Sequence, residues 1–195
     1  MKTKTVKGMN DYLPSDAEIR DYLQSVIIDT YKNSGFEHII TPIVEDAENL
    51  DKSEGGDNLN LIFKVMKRGA KLQKALESGN AKELSDMGLR YDLTLPLCRY
   101  FANNRQNLML PFKAIQADRV YRAENSQKGR LREFVQCDID IIGSKAPECE
   151  IELILTTAAA IRKIGIGDFK IKINDYQRVI ALAKEKGINL HDLGL

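Results

Sequence analysis

Residues that mark metal sites, disulfide-bonded proteins and membrane proteins are scarce in this sequence. There are three cysteines, Cys98, Cys137 and Cys149, which form no Cys-x-x-Cys pair, and the only histidines are His38 and His191. The spacing of metal ligands is therefore missing, and an odd number of cysteines without a signal peptide favours reduced thiols in the cytosol. No segment approaches the ~18 uncharged apolar residues that a membrane helix needs. We expect a soluble, cytoplasmic protein with no disulfide, no protein-held metal and no membrane span.

An excess of charge of either sign is also missing. The chain has 195 residues, with 29 Lys plus Arg against 28 Asp plus Glu, and a formal net charge of +1. This balance gives no overall signature of nucleic-acid binding, so any contact with RNA has to be local. The length suits one domain, or one domain and a piece, and is sufficient for a sizeable core.

The stretch from Lys113 to Gly143 has the pattern of two antiparallel strands joined by a basic loop. In the second strand, Gln136, Asp138 and Asp140 share one parity and apolar residues share the other, which predicts one polar face and one core face. On alternation alone, an ordinary hairpin with a solvated face is the favoured interpretation.

The loop of this hairpin concentrates groups that suit phosphate binding. Arg122 and Glu124 share a parity just before the loop, which adds Lys128 and Arg130. Guanidinium groups offer planar, bidentate donors to phosphate oxygens, and Gly129 lets the backbone approach a ligand closely. A hairpin of this kind can grip a polyphosphate.

A longer pattern in the same stretch resembles motif 2 of class II aminoacyl-tRNA synthetases, in the form typical of histidyl-tRNA synthetases. It consists of Arg122-Ala123-Glu124, the run from Gly129 to Phe134, and Gln136-Cys137-Asp138. The resemblance implies an α+β fold, with a mostly antiparallel sheet flanked by helices, that is incomplete here. It also implies ATP-dependent activation of histidine and its ligation to tRNA(His).

Upstream, an amphipathic helix opens at Pro14 and Ser15, where Ser15 and Glu18 have capping-box spacing, and it ends at Ser34-Gly35. A β-rich run interrupted by Pro42 follows, and a proline there predicts an edge or a break in pairing. By itself this is an ordinary helix and edge strand. Together with the hairpin it resembles motif 1, which forms the dimer interface in this class, so a homodimer is implied.

These matches imply a domain organisation. Residues 1–175 would be the N-terminal part of the catalytic domain, with motif 1 at about 15–45 and motif 2 at about 113–143. Residues 176–195 would be the start of an insertion or a truncated end. Outside the motifs, we predict a polar loop at 51–60 and a strand at 169–173.

The segment from Leu89 to Pro96 alternates, which predicts a strand with Arg90, Asp92 and Thr94 on one face. A carboxylate two residues from a hydroxyl suits an ammonium group, although a turn or a helix cap is an alternative role for Asp92 and Thr94. The string RYDLTLPLCRY resembles the element that holds the amino group of histidine in one branch of the family.

The resemblance assigns a role to each matching residue. Arg122 would contact the α-phosphate of ATP and act as the catalytic residue, Glu124 would accept from the adenine amino group, and Arg130 would reach the outer phosphates. Magnesium would share the polyphosphate charge. The residues implied for histidine are Asp92 and Thr94 at the amino group, with Gln136 and Asp140 at the carboxylate or imidazole.

The family normally continues well past Leu195, so the resemblance implies a fragment that is weakly active or inactive alone. Two alternatives remain open. One is the histidine-sensing regulatory subunit of ATP phosphoribosyltransferase, a non-catalytic relative with the same fold, and the other is a non-catalytic dimerisation fragment. The set of Arg122, Glu124 and Arg130 favours the synthetase over the sensor, because a sensor does not need a hairpin that grips ATP.

Overall fold

A computed structural model of the protein describes residues 3–52, 61–125, 127–173 and 185. The chain divides into two compact units, Met1–Gly165 and Ile166–Leu195. Residues 53–60 of the predicted polar loop lie outside the described residues, as does nearly all of 174–195. The predicted domain boundary at residue 175 therefore stays a prediction.

All helices and strands with assigned bounds belong to the first unit. The helices are α1 (Pro14–Asn33), α2 (Ala47–Lys52), α3 (Ala70–Glu77), α4 (Thr94–Asn104) and α5 (Glu148–Lys163), with 3₁₀ turns at Ala81–Leu84 and Arg105–Asn107. The strands are β1 (Glu37–His38), β2 (Val44–Asp46), β3 (Lys64–Met66), β4 (Ser85–Leu89), β5 (Phe112–Tyr121) and β6 (Glu133–Ile142). No helix in the described ranges is long and apolar enough to cross a membrane.

The strands form two small sheets. In the main sheet, β5 is central, with β1 parallel on one side and β6 antiparallel on the other. The β5–β6 register runs from Phe112 opposite Ile142 to Tyr121 opposite Glu133, which confirms the predicted hairpin. In the second sheet, β4 pairs antiparallel with both β2 and β3. The fold is therefore α+β with mainly antiparallel pairing, as predicted.

Helices cover both faces of the main sheet. On one face, Tyr31 at the end of α1 and Ala160 of α5 pack with Ile115 of β5, and Ile139 of β6 joins them. This is the predicted core face. Burial of these apolar side chains removes them from water and ties α1 and α5 to the hairpin.

The other face is only partly polar. Phe112 of β5 packs with Leu97 of α4, and Ile142 of β6 joins this cluster. Ile142 has the same parity as Asp140, so the face that we predicted to be polar is apolar at its Ile142 end. Its polar part is confined to the segment from Gln136 to Asp140, nearer the hairpin loop.

Helix α1 departs from the prediction at its N-terminal end. It begins at Pro14 after Leu13, and no side chain caps it, so the capping box of Ser15 and Glu18 is not formed. Its outer residues Ile19 and Tyr22 are 57% and 62% exposed. Their apolar spacing alone does not show which turns of the helix are covered by another element.

Two predicted strands are wrong. Strand β4 ends at Leu89 and helix α4 begins at Thr94, so the segment with Asp92 is a strand-to-helix junction rather than a strand. The segment Phe169–Ile173 is irregular, without a strand partner among the described residues. In both places the side chains alternate in sequence, but neither segment is part of a sheet in the described residues.

Candidate active site

Arg122 follows directly after β5 and is held by two aromatic rings. Its guanidinium carbon lies 4.3 Å from the centroid of the Tyr91 ring and 5.1 Å from that of Phe134, and its Nε donates a hydrogen bond to the Tyr91 carbonyl over 3.3 Å. A guanidinium over aromatic faces is attracted by the ring quadrupoles, which fixes its orientation. Within the described part of the chain, no carboxylate forms an ion pair with Arg122, so its positive charge is available to a ligand.

A cavity of about 340 Å³ opens beside Arg122 at the root of the hairpin loop. Its lining residues are Arg122, Glu124, Gly129, Arg130, Leu131 and Phe134. Arg130 Nη1 lies 3.3 Å from Glu124 Oε2, and Arg130 is 66% exposed while Glu124 is 23% exposed. Such an exposed pair contributes little to stability and can separate without much cost when a ligand enters.

Arg132 holds the base of this loop in place. Its backbone N–H donates to the Gly8 carbonyl over 2.7 Å, and its side-chain Nε donates to the Glu124 carbonyl over 2.8 Å. Its own carbonyl accepts from the Arg122 N–H over 2.9 Å. The N-terminal segment is therefore hydrogen-bonded to the hairpin at Arg132, which also bonds to the backbone of Arg122 and of Glu124.

Asp92 lies at the junction between β4 and α4. Its Oδ1 accepts hydrogen bonds from the backbone N–H groups of Thr94 and Leu95, over 3.1 and 3.3 Å. These bonds satisfy two of the free N–H groups at the start of α4, so the helix-cap alternative is confirmed for Asp92. Thr94 is the first residue of α4 and is exposed.

Asp138 and Asp140 lie on the polar part of the sheet face, with Gln136 on the same parity. Burial, followed by the like charges of Asp140 and Asp92, raises the pKa of Asp138 to about 6, and the positive charge of Arg122 opposes this rise. Burial and the charge of Asp92 also raise the pKa of Asp140. Asp138 therefore lies within electrostatic reach of both Arg122 and Asp92.

The predicted residues thus fall into two neighbouring sets. Arg122, Glu124 and Arg130 surround the cavity, and Asp92 and Asp140 are coupled through their charges. The Oε1 atom of Gln136 is buried and has no hydrogen-bond partner among the described residues, which is the condition of a group that awaits a ligand. Thr94 contacts these sets through its backbone N–H, which donates to Asp92 Oδ1, and no hydrogen bond of its hydroxyl is seen in the described part of the structure.

Sequence reasoning missed the groups that hold the site together. Arg90 is fully buried: its Nε donates to the Arg119 carbonyl over 2.7 Å, its Nη1 donates to the Thr41 carbonyl over 2.9 Å, and its Nη2 lies 2.8 Å from Asp118 Oδ2. Gln116 is also buried and donates from Nε2 to the Leu93 carbonyl over 2.7 Å. The sequence signal for Gln116 was that it is a polar residue of β5 with the same parity as Asp118.

The comparison with known proteins decides the family. The sequence matches the family model of histidyl-tRNA synthetase over residues 8–192. The chain belongs to the histidyl-tRNA synthetase family. The family that we predicted from the hairpin motif is therefore confirmed.

Named relatives support the histidyl-tRNA synthetase assignment. The histidine–tRNA ligase of Leifsonia xyli subsp. xyli is 44% identical over 184 residues, which cover 93% of this chain and 43% of the relative. The probable histidine–tRNA ligase of Tropheryma whipplei (strain Twist) is 40% identical over 188 residues, which cover 96% of this chain and 44% of the relative. The chain therefore spans less than half the length of the curated relatives that it matches.

Solved structures agree with the histidyl-tRNA synthetase fold. The histidyl-tRNA synthetase of Nostoc sp. PCC 7120 aligns with a TM-score of 0.74 at 30% identity, covering 96% of this chain and 40% of that one. A Bacillus halodurans protein described as an ATP phosphoribosyltransferase regulatory subunit/histidyl-tRNA synthetase aligns with a TM-score of 0.77 at 22% identity, covering 94% and 43%. The second likeness shows the fold alone.

Proposed function

We propose that this chain contributes the motif 2 half of a site that activates histidine with ATP, the first step of its ligation to tRNA(His). The observation that carries the proposal is Arg122, a cation without an ion-pair partner in the described part of the chain, which lies over Tyr91 and Phe134 at the edge of a cavity. The names and identities of the relatives support the substrates.

The cavity fits a nucleoside triphosphate in three respects. Arg122 and Arg130 supply guanidinium donors for phosphate oxygens, the glycine turn leaves the approach open, and Glu124 supplies an acceptor for an amino group. In this proposal Arg122 binds the α-phosphate and stabilises its charge while the histidine carboxylate attacks phosphorus and pyrophosphate leaves. This is positioning and electrostatic catalysis, and it requires no protein nucleophile.

When bound, magnesium supplies further neutralisation of the polyphosphate. Glu124 is the only carboxylate among the residues that line the cavity, and the described residues contain no group of three His, Cys, Asp or Glu side chains that could hold a metal ion. These residues fit an ion held mainly by phosphate oxygens and water rather than by a protein cage.

The histidine half of the proposed site combines the polar part of the sheet face with the junction between β4 and α4. Asp92, Thr94, Gln136 and Asp140 are assigned to the amino acid, with a carboxylate and a hydroxyl for its ammonium group and polar groups of β6 for its carboxylate or imidazole. The Oε1 of Gln136 is buried and has no hydrogen-bond partner in the described part of the chain, which supports this assignment, because a ligand N–H would satisfy it.

We also propose that the chain forms a homodimer through motif 1, residues 15–45. Strand β1 lies at the edge of the main sheet, and Ile40, two residues after it, is 78% exposed. Val44, the first residue of β2, is 42% exposed. Sedimentation at several concentrations tests this: an Ile40→Asp variant should shift the protein toward the monomer. A dimer that is unaffected by this substitution would place the interface elsewhere.

The regulatory subunit of ATP phosphoribosyltransferase is the second candidate, because the Bacillus halodurans protein that shares this fold is described by that name as well as by the name of the synthetase. Calorimetric titrations with ATP plus magnesium, and separately with histidine, distinguish the two. We expect ATP to bind. Binding of histidine without binding of ATP would favour the sensor, and a folded chain that binds neither would contradict the proposed half-site.

A further inference from the structure

A basic segment that the proposed function does not use projects from the second sheet. Residues 64–74 contain five Lys or Arg residues and no Asp or Glu, although the whole chain has a formal net charge of only +1. We call these the basic arm. Its cations are Lys64, Lys67, Arg68, Lys71 and Lys74. The rest of the chain is therefore net negative, and the arm is a local excess of positive charge.

Four of these cations are exposed, and three of the four form no ion pair within the described ranges. Arg68, Lys71 and Lys74 are exposed, and no acidic partner within the described ranges forms an ion pair with them. Lys64 differs, because its Nζ lies 3.2 Å from Asp51 Oδ1. Lys71 and Lys74 are three residues apart on α3, and this spacing brings two side chains to neighbouring positions on a helix surface.

The apolar residues of α3 show which side of the helix faces the protein. Ala75 is 3% exposed and is the buried residue of this short helix, and Leu72 is half-buried, whereas Leu76 is 56% exposed. Lys71 is one turn before Ala75 and flanks the buried side, Lys74 lies farther from it, and both lysines are exposed. The arrangement is a supported helix with two exposed cations.

The β3 end of the basic arm is connected to the candidate active site in two ways. The Ala123 N–H, between Arg122 and Glu124, donates to the Leu61 carbonyl over 2.7 Å just before β3. Strand β4, which pairs with β3, runs directly into the junction that contains Asp92. Seven residues separate Leu61 from Arg68, so the exposed cations begin within about 25 Å of Ala123.

We propose that the basic arm binds the phosphate backbone of an RNA stem whose 3′ end enters the candidate active site. The inference rests on the proposed function, because an aminoacyl group that is activated here is delivered to an RNA end. The double-stranded stem next to that end carries a dense negative charge. The arm lies close enough to the candidate active site to contact the phosphates of such a stem. Contacts from Lys and Arg to phosphate and sugar groups do not depend on sequence, and double-stranded RNA is bound mainly in this way.

The test compares two pairs of lysines in an RNA-binding assay. The probe is a hairpin RNA that reproduces the acceptor stem of tRNA(His) with its single-stranded 3′ end, titrated at several salt concentrations. One variant carries Lys71→Gln and Lys74→Gln. The control carries Lys32→Gln and Lys163→Gln, which change exposed lysines of α1 and α5 on the opposite side of the main sheet.

We expect the arm variant to bind the RNA about 10-fold or more weakly at low salt and to reduce the slope of log K against log salt by about 2. The control pair should change neither quantity. Gln and Lys have similar helix propensities, so both variants should remain folded. An equal effect of the two pairs, no effect of either, or no RNA binding by the unmodified chain would overturn the proposal.

Two further measurements separate this inference from the proposed function. ATP binding by the arm variant should equal that of the unmodified chain, because neither lysine lines the cavity. RNA binding that depends on Lys71 and Lys74 in a chain without ATP binding would support the arm and contradict the half-site. Competition by polyglutamate as strong as competition by the hairpin RNA would instead indicate a general polyanion surface and contradict the RNA proposal.

Discussion

The Arg122 guanidinium lies over the ring of Tyr91, with 4.3 Å between the guanidinium carbon and the ring centroid. Tyr91 is next in sequence to Asp92, which caps α4. One junction between β4 and α4 therefore supports the cation that we assign to ATP and supplies a carboxylate that we assign to histidine. The two halves of the proposed site are joined through adjacent residues.

The first prediction concerns this ring contact. Tyr91→Leu removes the aromatic face and should lower ATP affinity about two- to five-fold, since a cation–π contact at a partly exposed site contributes about 0.5–1 kcal/mol. Tyr91→Phe keeps the face and should bind ATP like the unmodified chain. Calorimetric titration of both variants measures their ATP affinities. Equal losses of ATP affinity in Tyr91→Leu and Tyr91→Phe would show that the ring does not act through its aromatic face.

The second prediction separates the two roles of Asp92. Asp92→Ala removes both the cap and the charge, and it should lower the free energy of unfolding by about 1 kcal/mol. Asp92→Asn retains a capping oxygen and should keep most of that stability. Both variants should weaken histidine binding more than ATP binding. Unchanged histidine affinity in the Asn variant would remove this carboxylate from the site.

The third prediction concerns pH. The pKa of Asp138 in the folded chain is about 6, above its value of about 4 in an unfolded chain, so folding favours the protonated form. Its contribution to stability is therefore present below about pH 4 and is lost as the pH rises through about 6. Asp138→Asn should be more stable than the unmodified chain above pH 6, by about 1–3 kcal/mol, and equally stable below pH 4.

Urea unfolding of the Asp138→Asn variant at pH 4, 5, 6 and 7.5 measures this dependence. Asp29→Asn, which changes an exposed carboxylate of α1, is the control and should change stability by less than about 0.5 kcal/mol at every pH. Equal stability of the Asp138→Asn variant and the unmodified chain at pH 7.5 would contradict the expected cost of the buried charge.

The fourth prediction concerns the buried cation. Arg90→Met removes the partner of Asp118 and leaves the Thr41 and Arg119 carbonyls without their donor. Breaking a buried pair by removing one partner costs about 3–5 kcal/mol, although the partial exposure of Asp118 places the expected loss at the lower end. Urea unfolding measures it. A loss below about 1 kcal/mol would show that water replaces the guanidinium readily.

The sequence pattern predicted the hairpin of β5 and β6 well, because its signals are local. Strict alternation, a basic loop and the turn at Gly129 together define register and turn position without reference to the rest of the chain. The motif within that hairpin then identified the family, and Arg122, Glu124 and Arg130 do surround one cavity.

The features that the sequence pattern did not predict depend on which groups each residue contacts in the folded chain. The segment around Asp92 alternates like a strand, yet it forms a helix cap, because the Asp92 carboxylate accepts hydrogen bonds from the backbone N–H groups of Thr94 and Leu95. Ile19 and Tyr22 have core spacing but are exposed, since nothing covers that part of α1 in the described structure. The burial of Arg90 results from packing between β5 and the segment after β1, residues far apart in sequence.

The most direct test of the half-site is ATP titration of an Arg122→Gln variant, with Arg119→Gln as the matched control. Arg119 lies on β5 with its side chain 58% exposed and on the opposite parity, near Glu133. We expect Arg122→Gln to lower ATP affinity at least about 10-fold, since hydrogen bonds to charged groups contribute about 1.5–3 kcal/mol. Histidine affinity should change little, and Arg119→Gln should leave both affinities unchanged. Equal losses of ATP affinity in the two variants, or none in Arg122→Gln, would contradict the role of Arg122.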